Sequence, residues 1–128
     1  MGLKLDTDQT GLTTHLKPYE IIALDYVWSL GEPVGSGKVW NHVNDNLEGT
    51  ISRASIIFFL NRQVDLGVLQ FKDATGKGGH HRLYYPKVSK KDYPQFVVKK
   101  VVEALEGTFP GDPMIRKFAG LVKSLIWE

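Results

Sequence analysis

Three helical stretches, then two short strand-like runs around a glycine-rich tip, then two further helical stretches predict an α+β fold, mainly helical. In that order they describe a winged helix-turn-helix followed by a C-terminal helical dimerisation segment. Two further observations agree. The length of 128 residues suits one domain or a domain with a short appendage, and the 42% hydrophobic content is enough for a packed core. The net charge of +2 conceals an asymmetry. Residues 1–49 carry three basic and seven acidic side chains, residues 50–91 eight basic and two acidic, and residues 92–128 five of each. A concentrated basic centre is the electrostatic footprint of a nucleic-acid binder.

Residues 1–14 are polar and are expected to be frayed. The winged helix-turn-helix is expected over residues 15–88 and the helical segment over 89–128. The first helix, about 17–30, opens on Pro18, whose missing N–H has no intrahelical partner to lose at that position. Glu20 sits near the positive end of the helix dipole, and Gly31 ends the helix. Leu16, Tyr19, Ile22, Ala23, Tyr26, Val27 and Leu30 fall at helical spacing and are the expected buried face. Glu32 to Gly35 reads as a turn. A second helix, Ser36 to Leu47, repeats Val39, Val43 and Leu47. A third, Ser52 to Leu66, is stopped by Gly67, and Ile56, Leu60 and Val64 suit its buried face.

Val68 to Lys72 reads as a strand, Asp73 to His81 as a polar loop with three glycines, and Arg82 to Pro86 as a second strand. Ser89 opens a helix of about 90–107, with Asp92 three residues on in the place of a capping-box acid. Gly107 to Pro113 breaks the chain, and Met114 to Trp127 is the last helix.

In a helix-turn-helix the third helix enters the major groove, and its first residues meet base edges. Ser52, Arg53, Ser55, Phe59 and Arg62 lie largely off the expected buried face. The serines suit phosphates or base edges, Arg53 suits a guanine, and Arg62, further along, suits a phosphate. The hairpin tip adds Lys77, His80, His81 and Arg82, a basic finger that can lie along the duplex, its glycines permitting close backbone approach.

No metal site or cofactor is expected. His80 and His81 are adjacent on an extended chain and point to opposite sides. The chain has no cysteine, which removes disulfides and thiolate chemistry. Val34-Gly35-Ser36-Gly37-Lys38 has only a superficial likeness to a phosphate-binding loop, neither H-E-x-x-H nor G-x-S-x-G occurs, and the carboxylates are scattered. No enzymatic activity is expected. Neither a membrane-spanning run nor a signal-like start is present, and the default compartment is the cytoplasm.

The first helix carries Leu16, Pro18 and Glu20, then seven residues, then Trp28, Leu30 and Gly31. This L-x-P-x-E…W-x-L-G pattern resembles the first helix of the penicillinase-repressor family of winged-helix regulators (the BlaI, MecI and CopY type). Tyr84, Pro86, Val88, Ser89 and Asp92 resemble that family's Y-x-P-x-V-S-x-x-[DE] passage, and Phe109 and Gly111 its F-G break. The resemblance spans about Leu16 to Val122. It implies a homodimeric repressor that binds double-stranded DNA at a palindromic operator, with the last helices as the dimer contact. The chain departs from the family in lacking the copper-responsive members' cysteine cluster. It also lacks the Asn–Phe bond at which other members are cut, because no asparagine follows Asn61. Gln63 stands where the family usually has leucine.

The residues support the same division. Val98, Val101, Val102, Leu105 and Phe109 make one apolar stripe, and Ile115, Phe118, Ala119, Val122, Leu125 and Ile126 another. Two short helices cannot readily bury both, whereas a second copy can. A sequence-specific DNA-binding regulator is therefore the expectation. The alternative is a winged-helix module for protein–protein contact, with the phenylalanines of the third helix as its patch.

Overall fold

Glu20 folds back over the start of its own helix, and its carboxylate accepts the Lys17 backbone N–H at 2.8 Å. That bond and Pro18 at the first helical position start helix α1, Pro18–Leu30, which ends on Gly31 at φ 71°. The structure is a computed structural model that describes residues 2–76 and 79–126. It is α+β and mainly helical, and its residues group into two units, 3–89 and 90–128.

In the first unit Gly11–Thr14 form a 3-10 turn within the stretch expected to be frayed, and Asp6 donates its backbone N–H to Thr14 at 2.6 Å. After α1 come strand β1, Val34–Gly35, and helix α2, Ser36–Asn46. Helix α3, Arg53–Leu66, and strands β2, Leu69–Gly76, and β3, Gly79–Pro86, follow. The strands form an antiparallel sheet in the order β1-β3-β2.

Three features of the first unit depart from the sequence expectation. Val34 and Gly35, expected in a turn, pair with Tyr84 and Leu83. Two paired residues leave no periodic signal to read. The hairpin strands are also longer than expected, because Asp73 to Gly76 and Gly79 to His81 continue the ladder in register, Asp73 opposite Arg82 and Thr75 opposite His80. Cross-strand bonding holds these polar residues extended although little apolar surface asks for it.

The buried face of α1 is the third departure. It is Glu20, Ala23, Leu24 and Val27, with Leu16 just before the helix, while Tyr19, Ile22, Tyr26 and Leu30 are only partly covered. Apolar residues lie nearly all round this helix, so spacing alone does not select the inward side. Val39 and Val43 of α2 and Ile56 and Leu60 of α3 complete a core in which each fully buried aliphatic side chain contributes about 1.5–3 kcal/mol.

The connection from α2 to α3 is clamped by side chains. Asn44 accepts the Ile51 N–H at 2.9 Å, and the Trp40 indole donates to the Ile51 carbonyl at 2.8 Å. Ser52 then caps α3 by accepting the Ser55 N–H at 3.1 Å. At the other end Gly67, at φ 90°, lets the Val68 N–H reach back to the Gln63 carbonyl at 2.9 Å. Both ends of α3 are thus fixed. Trp28 of α1 donates its indole N–H to the Val88 carbonyl at 3.0 Å and ties down the chain just beyond β3.

The second unit is a helix pair, α4, Tyr93–Thr108, and α5, Pro113–Ile126. Helix α4 begins later than the expected residue 90. Pro94 falls in its first turn, where its absent N–H is harmless; deeper inside a helix it would remove a hydrogen bond. Asp112 starts α5 by accepting the Met114 and Ile115 N–H groups, each at 3.0 Å. Val102, Ala119 and Val122 form the seam between the two helices, and Lys123 pairs with Glu106 at 2.8 Å. Among the described residues no helix is long and apolar enough to cross a membrane.

Candidate nucleic-acid interface

The outward side of α3 begins at its cap. Ser52 and Arg53 are exposed, and the hydroxyls of Ser52 and Ser55 share a hydrogen bond at 2.9 Å. The Arg53 guanidinium lies over the first turn of α2, where a Cβ on Gly37 would meet its Nη2 at 3.5 Å.

Phe59 is a correction. It was expected on the outward side, yet it is 1% exposed, with its ring edge-on to Tyr19 at 6.4 Å between centroids. It cannot meet a base. The buried face of α3 is Ile56, Phe59, Leu60, Gln63 and Leu66, a mixture of three- and four-residue steps. Strict four-residue steps, as in Ile56, Leu60 and Val64, advance about 40° round the helix each time and walk off the face. Val64 is accordingly only half-buried. The exposed phenylalanine is Phe58, at 61%, with Ile57 beside it. The same periodicity read with mixed steps would have assigned the pair correctly.

Arg62 is half-buried in a cleft with Lys17 and Glu20, and its Nε is shielded from water and has no hydrogen-bond partner among the described residues. Nearby Tyr19 has its hydroxyl pKa raised, first by burial and then by the Glu20 charge, with Arg62 opposing.

On the hairpin, Arg82 is held by two contacts. Its guanidinium lies 3.9 Å over the Phe71 ring and donates to Asn61 Oδ1 of α3 at 3.1 Å. Tyr84 donates its hydroxyl to the same oxygen at 2.5 Å, and burial raises the Tyr84 pKa against the opposing charge of Arg82. One amide oxygen therefore joins α3 to β3. Sequence reasoning missed Asn61, because nothing in its spacing marks a contact 21 residues away.

His80 shares the face of Arg82, and its Nε2 is 3.5 Å from Asp73 Oδ1. His81 is opposite Ala74 on the other face, and its ring passes where a Cβ on Gly76 would approach to 3.3 Å. Lys77 lies outside the described residues. Lys72, not singled out by the sequence, is an exposed cation on β2.

The expected dimer residues divide. Val98, Phe109 and Phe118 are exposed, and Val101, Leu105 and Ile115 are partly covered. Val102 and Val122 are a correction: both are consumed by the seam between α4 and α5 and present nothing to a partner. Each sits where the two stripes face each other, so the short helices bury more of themselves than expected. Met114, Phe118, Leu121 and Leu125 instead form an exposed stripe along α5, from 50% to 76% accessible.

No protein-family model matches the chain, and no curated protein matches it.

Proposed function

We propose that this chain is a sequence-specific regulator that binds double-stranded DNA as a homodimer and represses transcription by occluding a promoter. In this reading residues 15–88 are a winged helix-turn-helix of the penicillinase-repressor type that the sequence motifs resemble. Helix α3 is the reading helix and the β2–β3 hairpin is the wing. The carrying observation is the Asn61 bridge. It holds the guanidinium of Arg82 beside the helix whose exposed start bears Ser52 and Arg53. A phosphate-holding arginine and a base-reading arginine then belong to one rigid surface. The exposed stripe of α5 supports the dimer, because a twofold partner brings the same stripe to cover it.

The test needs no operator, since the phosphate term is independent of sequence. Binding to a generic duplex is followed by fluorescence anisotropy between about 50 and 200 mM salt, and log affinity is expected to fall by about 0.9 per phosphate neutralised per decade of salt. A dimer should show about six to ten such contacts. Absence of binding at every salt concentration defeats the reading. It would favour a protein-docking module, for which the exposure of Ile57 and Phe58 on α3 is the specific observation.

A further inference from the structure

Two adjoining clefts lie along one side of the first unit, with volumes of about 410 and 390 Å³. They share Lys17, Glu20 and Arg62, which makes them two arms of one groove that runs from the N-terminal segment past the start of α1 to the first turns of α3. Each arm has the size of a small-molecule site. We infer that this groove binds a small organic anion, a carboxylate with an aromatic or apolar body.

The charge balance at the junction selects an anion. Glu20 is 5% exposed, and one of its oxygens already accepts the Lys17 N–H at the positive end of α1. The helix start therefore offsets part of its charge. Arg62 makes no hydrogen bond or ion pair among the described residues, although it lines both arms. Its uncommitted guanidinium is suited to a bidentate carboxylate. In the outer arm Lys4, Lys17 and Arg62 outnumber Asp6 and Glu20, and burial lowers the pKa of His15.

The second arm selects the body. It is lined by Phe58, Tyr19, Ala54 and Ser55, so an anion held at Arg62 meets an exposed aromatic ring on one side. Phe58 is 61% exposed, and covering it returns apolar surface from water.

The regulatory sense of this site rests on the proposed function. Ser55, Phe58 and Arg62 all belong to α3, so a bound anion and a DNA duplex would compete for one helix, and each would weaken the other by the same factor. The site itself is independent of that reading and is tested without DNA.

The experiment follows backbone amide shifts of the full chain during titration with benzoate. Benzyl alcohol serves as the neutral body and acetate as the anion without one. Saturable shifts at Tyr19, Ser55, Phe58 and Arg62 with benzoate are expected, with both controls at least tenfold weaker. Arg62→Gln should weaken benzoate tenfold or more, and Phe58→Ala should bring benzoate close to acetate. Unchanged spectra away from the groove establish that each variant is folded; should Arg62→Gln fail that check, Arg62→Lys replaces it, with the same loss of the bidentate contact expected. No saturable shift overturns the inference, as does equal binding of benzyl alcohol or an unchanged affinity in Arg62→Gln. If benzoate binds as expected but the chain binds no duplex, the site stands and the function reading falls.

Discussion

The side-chain oxygen of Asn61 and the guanidinium of Arg82 meet at 3.1 Å, and Tyr84 donates to the same oxygen. An exposed arginine ordinarily samples many rotamers. Here the Phe71 ring beneath and the amide beside it restrict Arg82 before any ligand arrives. Less ordering entropy is then lost when it meets a phosphate.

That geometry makes a stability prediction. Asn61→Ala leaves the hydroxyl of Tyr84, a residue 3% exposed, without its acceptor, at a cost of about 1–3 kcal/mol. Tyr84→Phe removes the donor instead. The double variant should cost less than the sum of the singles, because neither group is then left waiting for a partner. Urea denaturation of the four proteins measures the coupling. Simple additivity would mean that the Asn61–Tyr84 bond contributes nothing to stability.

Arg53 and Arg82 are expected to fail differently as alanine variants. Arg53, at the exposed start of α3, is the base reader in the proposed function, and its loss should reduce discrimination between operator and random duplex by about 1–3 kcal/mol. In the proposed reading Arg82 holds phosphate, so Arg82→Ala should weaken both complexes alike and flatten the salt response by about one contact. Competition binding with both duplexes separates these outcomes. Equal effects of the two substitutions would remove the division of labour assigned to helix and hairpin.

Burial depresses the proton affinity of His15 below its ordinary value of 6.5, and the nearby Glu20 only partly opposes this. The unfolded chain therefore takes up this proton first as pH falls. Stability linked to His15 is complete above about 6.5 and is lost progressively from there down to the lower folded pKa. His15→Gln abolishes the linkage. Urea midpoints at pH 7.5 and pH 5.5 should show a smaller drop for the variant than for the parent chain. Identical drops would show that His15 contributes nothing to the acid sensitivity.

Much of the local structure was legible because single residues decide it. Pro18, Gly31, Ser52 and Gly67 each solve a terminus problem within a few residues of themselves, and the helix boundaries they imply are observed to within a residue. Relations between distant residues were not legible in this way. The two-residue strand β1 exists only because β3 lies alongside, and Asn61 is a polar residue on a helix until Arg82 and Tyr84 arrive. The misplacement of Phe59 has a different origin. Adjacent identical residues differ by about 100° round a helix, and a drifting four-residue template through Ile56, Leu60 and Val64 left Phe59 off the buried face.

Phe118 and Val122 both stand on α5 four residues apart, and they are expected to report on different interactions. Val122 is 8% exposed and packs with Val102 and Ala119, so a charge there must be buried or must pry the two helices apart. Val122→Asp should cost several kcal/mol and unfold the second unit. Phe118 is 50% exposed within the stripe of Met114, Leu121 and Leu125, so Phe118→Asp leaves its charge in water and should barely change the helix content of the isolated chain. In a dimer the same aspartate would be buried against its counterpart. Light scattering should therefore give a dimeric mass for the parent chain and a monomeric mass for Phe118→Asp, with circular dichroism unchanged and duplex affinity sharply reduced. If the parent chain is monomeric at micromolar concentration, the α5 stripe is not a self-association surface. If Phe118→Asp unfolds as Val122→Asp does, the assignment of the two faces of α5 is wrong.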